Sequence, residues 1–219
     1  MDSVAPAPRA SFSLLETMRL EHGRVERLER HMARMAEAAR YFAYPWSEST
    51  IREALAAVAR EHPQGCWRLR LLLSVDGRPT IECAPHADET RPWRVDFAFE
   101  PIDSLDPFIR HKTTRRLVYE DAKRAQPSLD DVLLWNEREE VTESTIGNVV
   151  AEIDGVRYTP PLSSGLLGGT FRAEQIEAGT IRERILTKAD IASASRLWLI
   201  NSVRGWVEVT LVVGVGGRQ

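Results

Sequence analysis

The chain has 219 residues, 43% hydrophobic and 28% charged, which is enough for one large or two small soluble domains with a real core. A net charge of −3, with acids and bases interspersed, gives no electrostatic case for nucleic acid or an anionic membrane as partner. No apolar run approaches the roughly 20 residues of a membrane-spanning helix, and Cys66 and Cys83 form no C-x-x-C pair, so a reducing, cytoplasmic setting is the simplest expectation.

The opening MDSVAPAPRASF lacks the apolar core of a signal peptide and reads as a short disordered lead. SLLETMRLEHG predicts a strand and a turn. Beyond it, Leu28, Met32, Met35 and Ala39 recur at the helical period, in a helix that must stop near Pro45. SESTIREALAAVAREHP predicts a second helix, capped by Ser or Thr and ended by His62-Pro63. CWRLRLLLSVDGRPTIECAP reads as a β-hairpin turning at Asp76-Gly77, and WRVDFAFEPI as a further strand. The next expected elements are a helix in TRRLVYEDAKRA, a short strand in DDVLLWN, and a strand, break and hairpin in EVTESTIGNVVAEIDGVRYTPP. SSGLLGGTFRAEQIEAG is a Gly-rich loop opening a helix that ends at Gly179, and RLWLINSVRGWVEVTLVV alternates strand with turn. The pattern divides near 104–107 into an N-terminal α+β domain, 1–105, and a C-terminal α/β domain, 106–219.

Three stretches carry chemistry. PPLSSGLLGGTFRAE places small residues before a helix start, where free N–H groups and the helix dipole favour an anion such as phosphate; it lacks the ending of a nucleotide P-loop, and an ordinary loop-to-helix turn reads the same way. In EVTESTIGNVV, Glu143 is either an exposed strand-end carboxylate or one buried against a cationic ring nitrogen. In HKTTRR, Lys112 beside Arg115 and Arg116 is a solvated surface charge or an amine held neutral enough to attack a carbonyl. The five histidines show no metal-ligand spacing, and His31 on the first helix reads equally as a boundary residue. The serine-hydrolase motif G-x-S-x-G is absent.

Taken in order, the lysine, the glutamate and the Gly-rich loop resemble the class IV pyridoxal-phosphate enzymes, the family of branched-chain and D-amino-acid transaminases and 4-amino-4-deoxychorismate lyase. The resemblance runs from about Ser13 to Leu211 and rests on LERHMARM, HKTTRR, VTESTIGNVV, TPPLSSGLLGGTFR and LWLINSVRGW. HKTTRRLVY, SSGLLGGTFR and INSVRG are most similar to the lyases.

The resemblance implies a two-domain, D-amino-acid-aminotransferase-like fold of fold-type IV, and pyridoxal 5'-phosphate as cofactor. It implies Lys112 as the cofactor-bearing lysine and proton carrier, Glu143 opposite the pyridine nitrogen, and Arg34 on the phosphate. Gly169, Thr170, Asn201 and Ser202 complete the phosphate cup, and Asn148 and Arg116 match recurrent positions without an assigned role. Thr17 falls where some lyases carry a threonine near the reacting centre. The implied reaction converts 4-amino-4-deoxychorismate to 4-aminobenzoate and pyruvate, feeding folate synthesis. Its substrate carries two carboxylates, for which Arg19, Arg68, Arg70 and Arg204 are candidates. Two other expectations stand beside it: a transaminase of branched-chain or D-amino acids, and a non-catalytic binding module with the same fold. The resemblance also implies a homodimer and functional coupling to aminodeoxychorismate synthase. Family members usually begin with an additional β-hairpin, so a smaller first sheet, or one whose edge a partner subunit covers, is expected here.

Overall fold

The computed structural model describes residues 12–88 and 90–212; the expected disordered lead lies outside the described residues, save its last residue, Phe12. The chain begins with strand β1 (Leu14–Glu21), which turns through His22 and Gly23, both at positive φ, into the short β2 (Arg24–Val25). Helices α1 (Leu28–Phe42) and α2 (Glu48–Glu61) follow, then the hairpin β3 (Cys66–Leu73) and β4 (Pro79–Pro85). Gly77 supplies the left-handed residue of that hairpin turn at φ 79°. The second helix starts after Ser47, as the sequence suggests, but the Ser47 side chain makes no cap hydrogen bond.

These strands form a four-stranded antiparallel sheet in the order β2-β1-β3-β4. In β1 the even-numbered residues face the helices and the odd-numbered ones face away. Leu14, Met18 and Leu20 thereby pack with Leu69, Leu71 and Leu73 of β3 against Met32, Met35 and Ala39 of α1 and Ile51 and Leu55 of α2. One even-numbered position breaks the apolar run, because it is Glu16.

The rest of the chain supplies β5 (Trp93–Phe97), α3 (Pro107–Arg110), α4 (Leu117–Ala125), β6 (Asp131–Trp135), β7 (Val141–Ser144), β8 (Asn148–Ile153) and β9 (Val156–Thr159). Then come a 3₁₀ turn at Leu162–Ser164, α5 (Thr170–Glu177), β10 (Arg182–Glu183), α6 (Lys188–Ser193), β11 (Arg196–Asn201) and β12 (Gly205–Leu211). The sheet order is β10-β9-β8-β11-β12-β5-β6-β7, and β7 also pairs with β8, closing six of the strands into a barrel. Val95, Leu133, Val141, Val149, Leu199 and Val207 form one core cluster of this sheet. α4 packs with Val132 and Leu134, and α5 packs Phe171 against Val150, Trp198 and Ile200.

The sequence division near 104–107 leaves β5 with the N-terminal half, whereas β5 is parallel to both β12 and β6 within the larger sheet. Alternation reveals a strand but not which sheet takes it up, because the pairing is made with residues far along the chain.

Between the two sheets runs a backbone seam. Leu15 N–H donates to Lys112 O at 3.0 Å, and Thr114 N–H donates to Ser13 O at 2.9 Å. The segment that carries Lys112 is thus attached to β1 by main-chain hydrogen bonds.

Candidate active site

A cavity of about 300 Å³ opens where the four-stranded sheet meets the barrel, at the low end of the range typical of small-molecule sites. Lys112 enters it from the seam and Glu143 from β7. Thr17, Arg68 and Arg70 enter from the small sheet, where Thr17 lies opposite Arg70 in register. Arg34 of α1, Arg116, Asn148 of β8, Gly169 and Thr170 at the start of α5, Asn201 at the end of β11, and Ser202 and Arg204 in the turn after it complete the wall. Residues separated by up to 187 positions along the chain, from Thr17 to Arg204, therefore meet in one place.

Arg19 is the exception among the expected residues. Its guanidinium donates to Glu21 at 3.1 and 3.2 Å, to Asp88 at 2.8 Å and to the Val203 carbonyl at 3.1 Å, and it does not line the cavity. Two carboxylates hold its charge away from the cavity, and its bond to the Val203 carbonyl braces the turn that carries Ser202 and Arg204.

Lys112 is half-buried, and its Nζ has no hydrogen-bond partner among the described residues. Desolvation, with the positive charges of Arg34 and Arg116, pushes the amine down to about 8, so its neutral form is far more accessible near neutral pH than that of an ordinary lysine. Glu143 is buried at 4% exposure, and burial pushes its carboxyl up to about 7. Its Oε1 accepts from Tyr119 OH at 2.7 Å and from the Leu167 N–H at 3.2 Å. Oε2 has no protein donor among the described residues. A carboxylate with one oxygen saturated and the other open fits a cationic ring N–H as its missing partner.

The anion end of the cavity is built in layers. Gly169 precedes α5 with no side chain to cap it, so the first-turn N–H groups of the helix remain open. A Cβ on Gly169 would lie 2.0 Å from Asn148 Oδ1, which is why glycine is required there. Asn148 itself donates to the Leu167 carbonyl at 2.9 Å, so it holds the Gly-rich loop as well as lining the cavity. Asn201 Oδ1 accepts the N–H groups of Val203 and Arg204, shaping the turn that presents Ser202. Arg34 donates from Nε and Nη2 to Glu16 at 2.8 and 2.5 Å, and from Nη1 to the Gly168 carbonyl at 2.8 Å. Three of its five N–H groups are engaged, which fixes the guanidinium and leaves two for an anion.

Residue-by-residue reading of the sequence missed Glu16, His31 and Tyr119. Glu16 Oε2 lies 2.7 Å from His31 Nδ1, and His31 Nε2 lies 2.8 Å from Ser202 Oγ. A signal existed: Glu16 occupies the apolar parity of β1, and His31 occupies the apolar phase of α1 between Leu28 and Met35. Two polar residues at facing inward positions are a sign that they are paired. Burial would raise Glu16, but the charge of Arg34 beside it, with hydrogen bonds from Arg34 and His31, brings it down to about 2.

The class IV amino-transferase family profile matches residues 13–212. The chain belongs to the class IV aminotransferases. Among its class IV relatives is a provisionally named aminodeoxychorismate lyase of Schizosaccharomyces pombe, 32% identical over 92% of this chain and 90% of that protein. The crystal structure of a provisionally named amino-acid aminotransferase from Mesorhizobium loti is 36% identical, with TM-score 0.86, covering 92% of this chain and all of that one. A provisionally named 4-amino-4-deoxychorismate lyase from Legionella pneumophila shares the class IV fold at TM-score 0.83 and 23% identity, covering 93% of this chain and 84% of that one. The fold-type IV architecture expected from the sequence is thereby established. Enzymes of this class use pyridoxal phosphate. Among the described residues there is no cluster able to hold a metal ion and no helix long and apolar enough to cross a membrane.

Proposed function

We propose that the protein is a pyridoxal-phosphate-dependent lyase that releases 4-aminobenzoate and pyruvate from 4-amino-4-deoxychorismate. The observation that carries this reading is the meeting of Lys112, the open oxygen of Glu143 and a donor-rich anion end in one cavity, with Arg68, Arg70 and Arg204 on its wall. The resemblance of the sequence to the lyases and the S. pombe relative support the choice of reaction within the class.

Lys112, Glu143 and the group formed by Arg34, Gly169, Thr170 and Ser202 would hold the cofactor at its aldehyde, ring-nitrogen and phosphate ends. When bound, the cofactor supplies an electron sink. The work left to the protein is positional and acid–base. Lys112 would offer its amine at the aldehyde end, and its free Nζ would accept the proton that leaves as the substrate ring becomes aromatic. Glu143, in its ionised form, would accept from a protonated ring nitrogen, and Tyr119 donates to Glu143 Oε1 and fixes the carboxylate for that role. Arg68 and Arg204 would orient the two substrate carboxylates, with Arg70, whose Nη1 donates to Glu82 at 2.9 Å, beside them, and Thr17 lies opposite Arg70 in register.

The test is an assay of cofactor-loaded protein with aminodeoxychorismate, run beside an amino acid plus 2-oxoglutarate. Release of 4-aminobenzoate without an amino acceptor supports the lyase. Glutamate formation in its place assigns the chain to the transaminases, the reading favoured by the M. loti structure. A protein that stays colourless with added cofactor leaves only the binding-module reading. A homodimer working beside the aminodeoxychorismate-forming enzyme is part of the proposal.

A further inference from the structure

Glu16 and His31, each only 1% exposed, form a buried ionisable pair behind the cavity that takes no part in the chemistry above. We infer that His31 couples the binding of a dianion at the Thr170–Ser202 end of the cavity to the uptake of one proton. The inference rests on the anion-cup reading made under the proposed function.

His31 Nε2 lies 2.8 Å from Ser202 Oγ and 3.2 Å from Thr170 Oγ1, and Ser202 Oγ also accepts from Arg27 Nε at 3.1 Å. On the other side of the ring, Nδ1 lies 2.7 Å from Glu16 Oε2. Arg34 donates twice to the same carboxylate and holds it ionised, so Nδ1 must carry a proton. A neutral ring then has one lone pair on Nε2, which takes the Ser202 O–H at 2.8 Å and is shared, more weakly, with the Thr170 O–H at 3.2 Å.

An anion in the cup requires those same protons. Once Ser202 turns its O–H toward the anion, its oxygen faces Nε2 with a lone pair. Two lone pairs at 2.8 Å repel unless Nε2 gains a proton. Moving the Nδ1 proton across the ring gives no relief, because a bare Nδ1 would then face the Glu16 carboxylate. The balanced step takes one proton from solvent: Nε2–H donates to Ser202 Oγ, Ser202 O–H donates to the anion, and Arg27 keeps its bond to Ser202. The site then gains one negative charge, not two, when it takes a dianion.

The charges facing His31 are Glu16 on β1, Arg34 on α1, Arg27 just before α1 and Glu174 of α5, which pairs with Arg27 at 3.4 Å. Lys112 and Glu143 lie farther along the cavity wall. Burial holds the free ring below the ordinary histidine range, Glu16 opposes this, and Arg34 and Arg27 add to it. The anion is the further negative charge that tips the balance.

Sulfate is the suitable probe, because it is a dianion throughout the histidine range and needs no cofactor or substrate. Calorimetric titration of cofactor-free protein, in buffers of different ionisation heat between about pH 5.5 and 7.5, counts protons taken up per sulfate bound. The expected result is uptake approaching one proton near neutrality, with affinity falling about tenfold across that range. His31→Gln keeps an amide donor toward Ser202 but cannot titrate. It should bind sulfate with the proton uptake attributable to His31 removed, so the contributions of Lys112 and Glu143 cancel in the comparison. Sulfate binding without proton uptake in the wild type, or equal uptake in His31→Gln, overturns the inference and leaves the cup intact. No sulfate binding at all removes the cup and the inference together. If the variant does not fold, the ¹⁵N shift of His31 Nε2 in the wild type decides. It must move to the imidazolium position on adding sulfate, and an unchanged shift overturns the coupling.

Discussion

Lys112 and Glu143 are both displaced toward their neutral forms, and the consequences for folding differ in pH. Glu143 ionises at about 7 in the fold against an ordinary 4.5, so stability present at low pH is lost as pH rises through that interval. For Lys112, about 8 in the fold against 10.5, the unfolded chain binds more protons in between, and stability is regained as pH rises from 8 to 10.5. Glu143→Gln should therefore raise the stability of cofactor-free protein by about 1–3 kcal/mol at pH 8 and change it little near pH 4, measured by thermal melts. The same variant should hold the cofactor with an unprotonated ring nitrogen, visible as a displaced absorbance maximum. Lys112→Ala should lose the visible band of the bound cofactor while keeping the far-ultraviolet signature of the fold; a borohydride-reducible band that persists would refute the assignment of Lys112. These two residues were legible in the sequence because their order along the chain, with the Gly-rich loop, resembles one family. Arg19 was misread because its strand neighbours Arg68 and Arg70 do line the cavity, and sequence does not show that Glu21 and Asp88 hold it elsewhere.

At the scale of elements, the loop before α5 is held by shape as much as by hydrogen bonds. Gly169→Ala would drive a methyl group into Asn148 Oδ1, break the bond from Asn148 to Leu167, and cost about 1–3 kcal/mol as an overpacked site. Cofactor affinity should fall with it, read as a weaker melting-temperature rise on adding pyridoxal phosphate. Glu16→Ala should cost about 3 kcal/mol, because it leaves Arg34 and His31 without their shared acceptor in a site largely closed to water. Most helices and strands were readable from period and turn chemistry: α1, α2, the β3–β4 hairpin and the strand at Glu143 stand where the pattern predicts. Helix α6 was not, although Thr187 and Asp190 form a capping box at its start. Six residues carry too little periodicity to register against the flanking strands.

For the whole molecule, the cavity is bounded by two bodies with separate cores, so a ligand that touches both binds only their assembled form. Pyridoxal phosphate at a hundredfold its dissociation constant should add about 2.7 kcal/mol to stability, a rise in Tm of about 5–10 °C for a chain of this size. Pyridoxal, which lacks the phosphate, should give only a small part of that rise at the same concentration; equal shifts would mean that the anion end contributes nothing. The closure of the barrel through β7 and β8, and the placement of β5 between β12 and β6, were not legible in the sequence. Those contacts join segments far apart in the chain, and a local period carries no information about distant partners.

The seam along β1 has a mechanical meaning. The main chain of Lys112 is hydrogen-bonded to Leu15 of the small sheet, while Glu143 belongs to the barrel. Three residues before the lysine, Ile109 packs with Val132 and Leu134 of the barrel, and four residues after it Arg116 donates to the Thr145 carbonyl. The amine is thus pinned from both bodies at once, and its place relative to the carboxylate is set by their junction and not by either sheet alone.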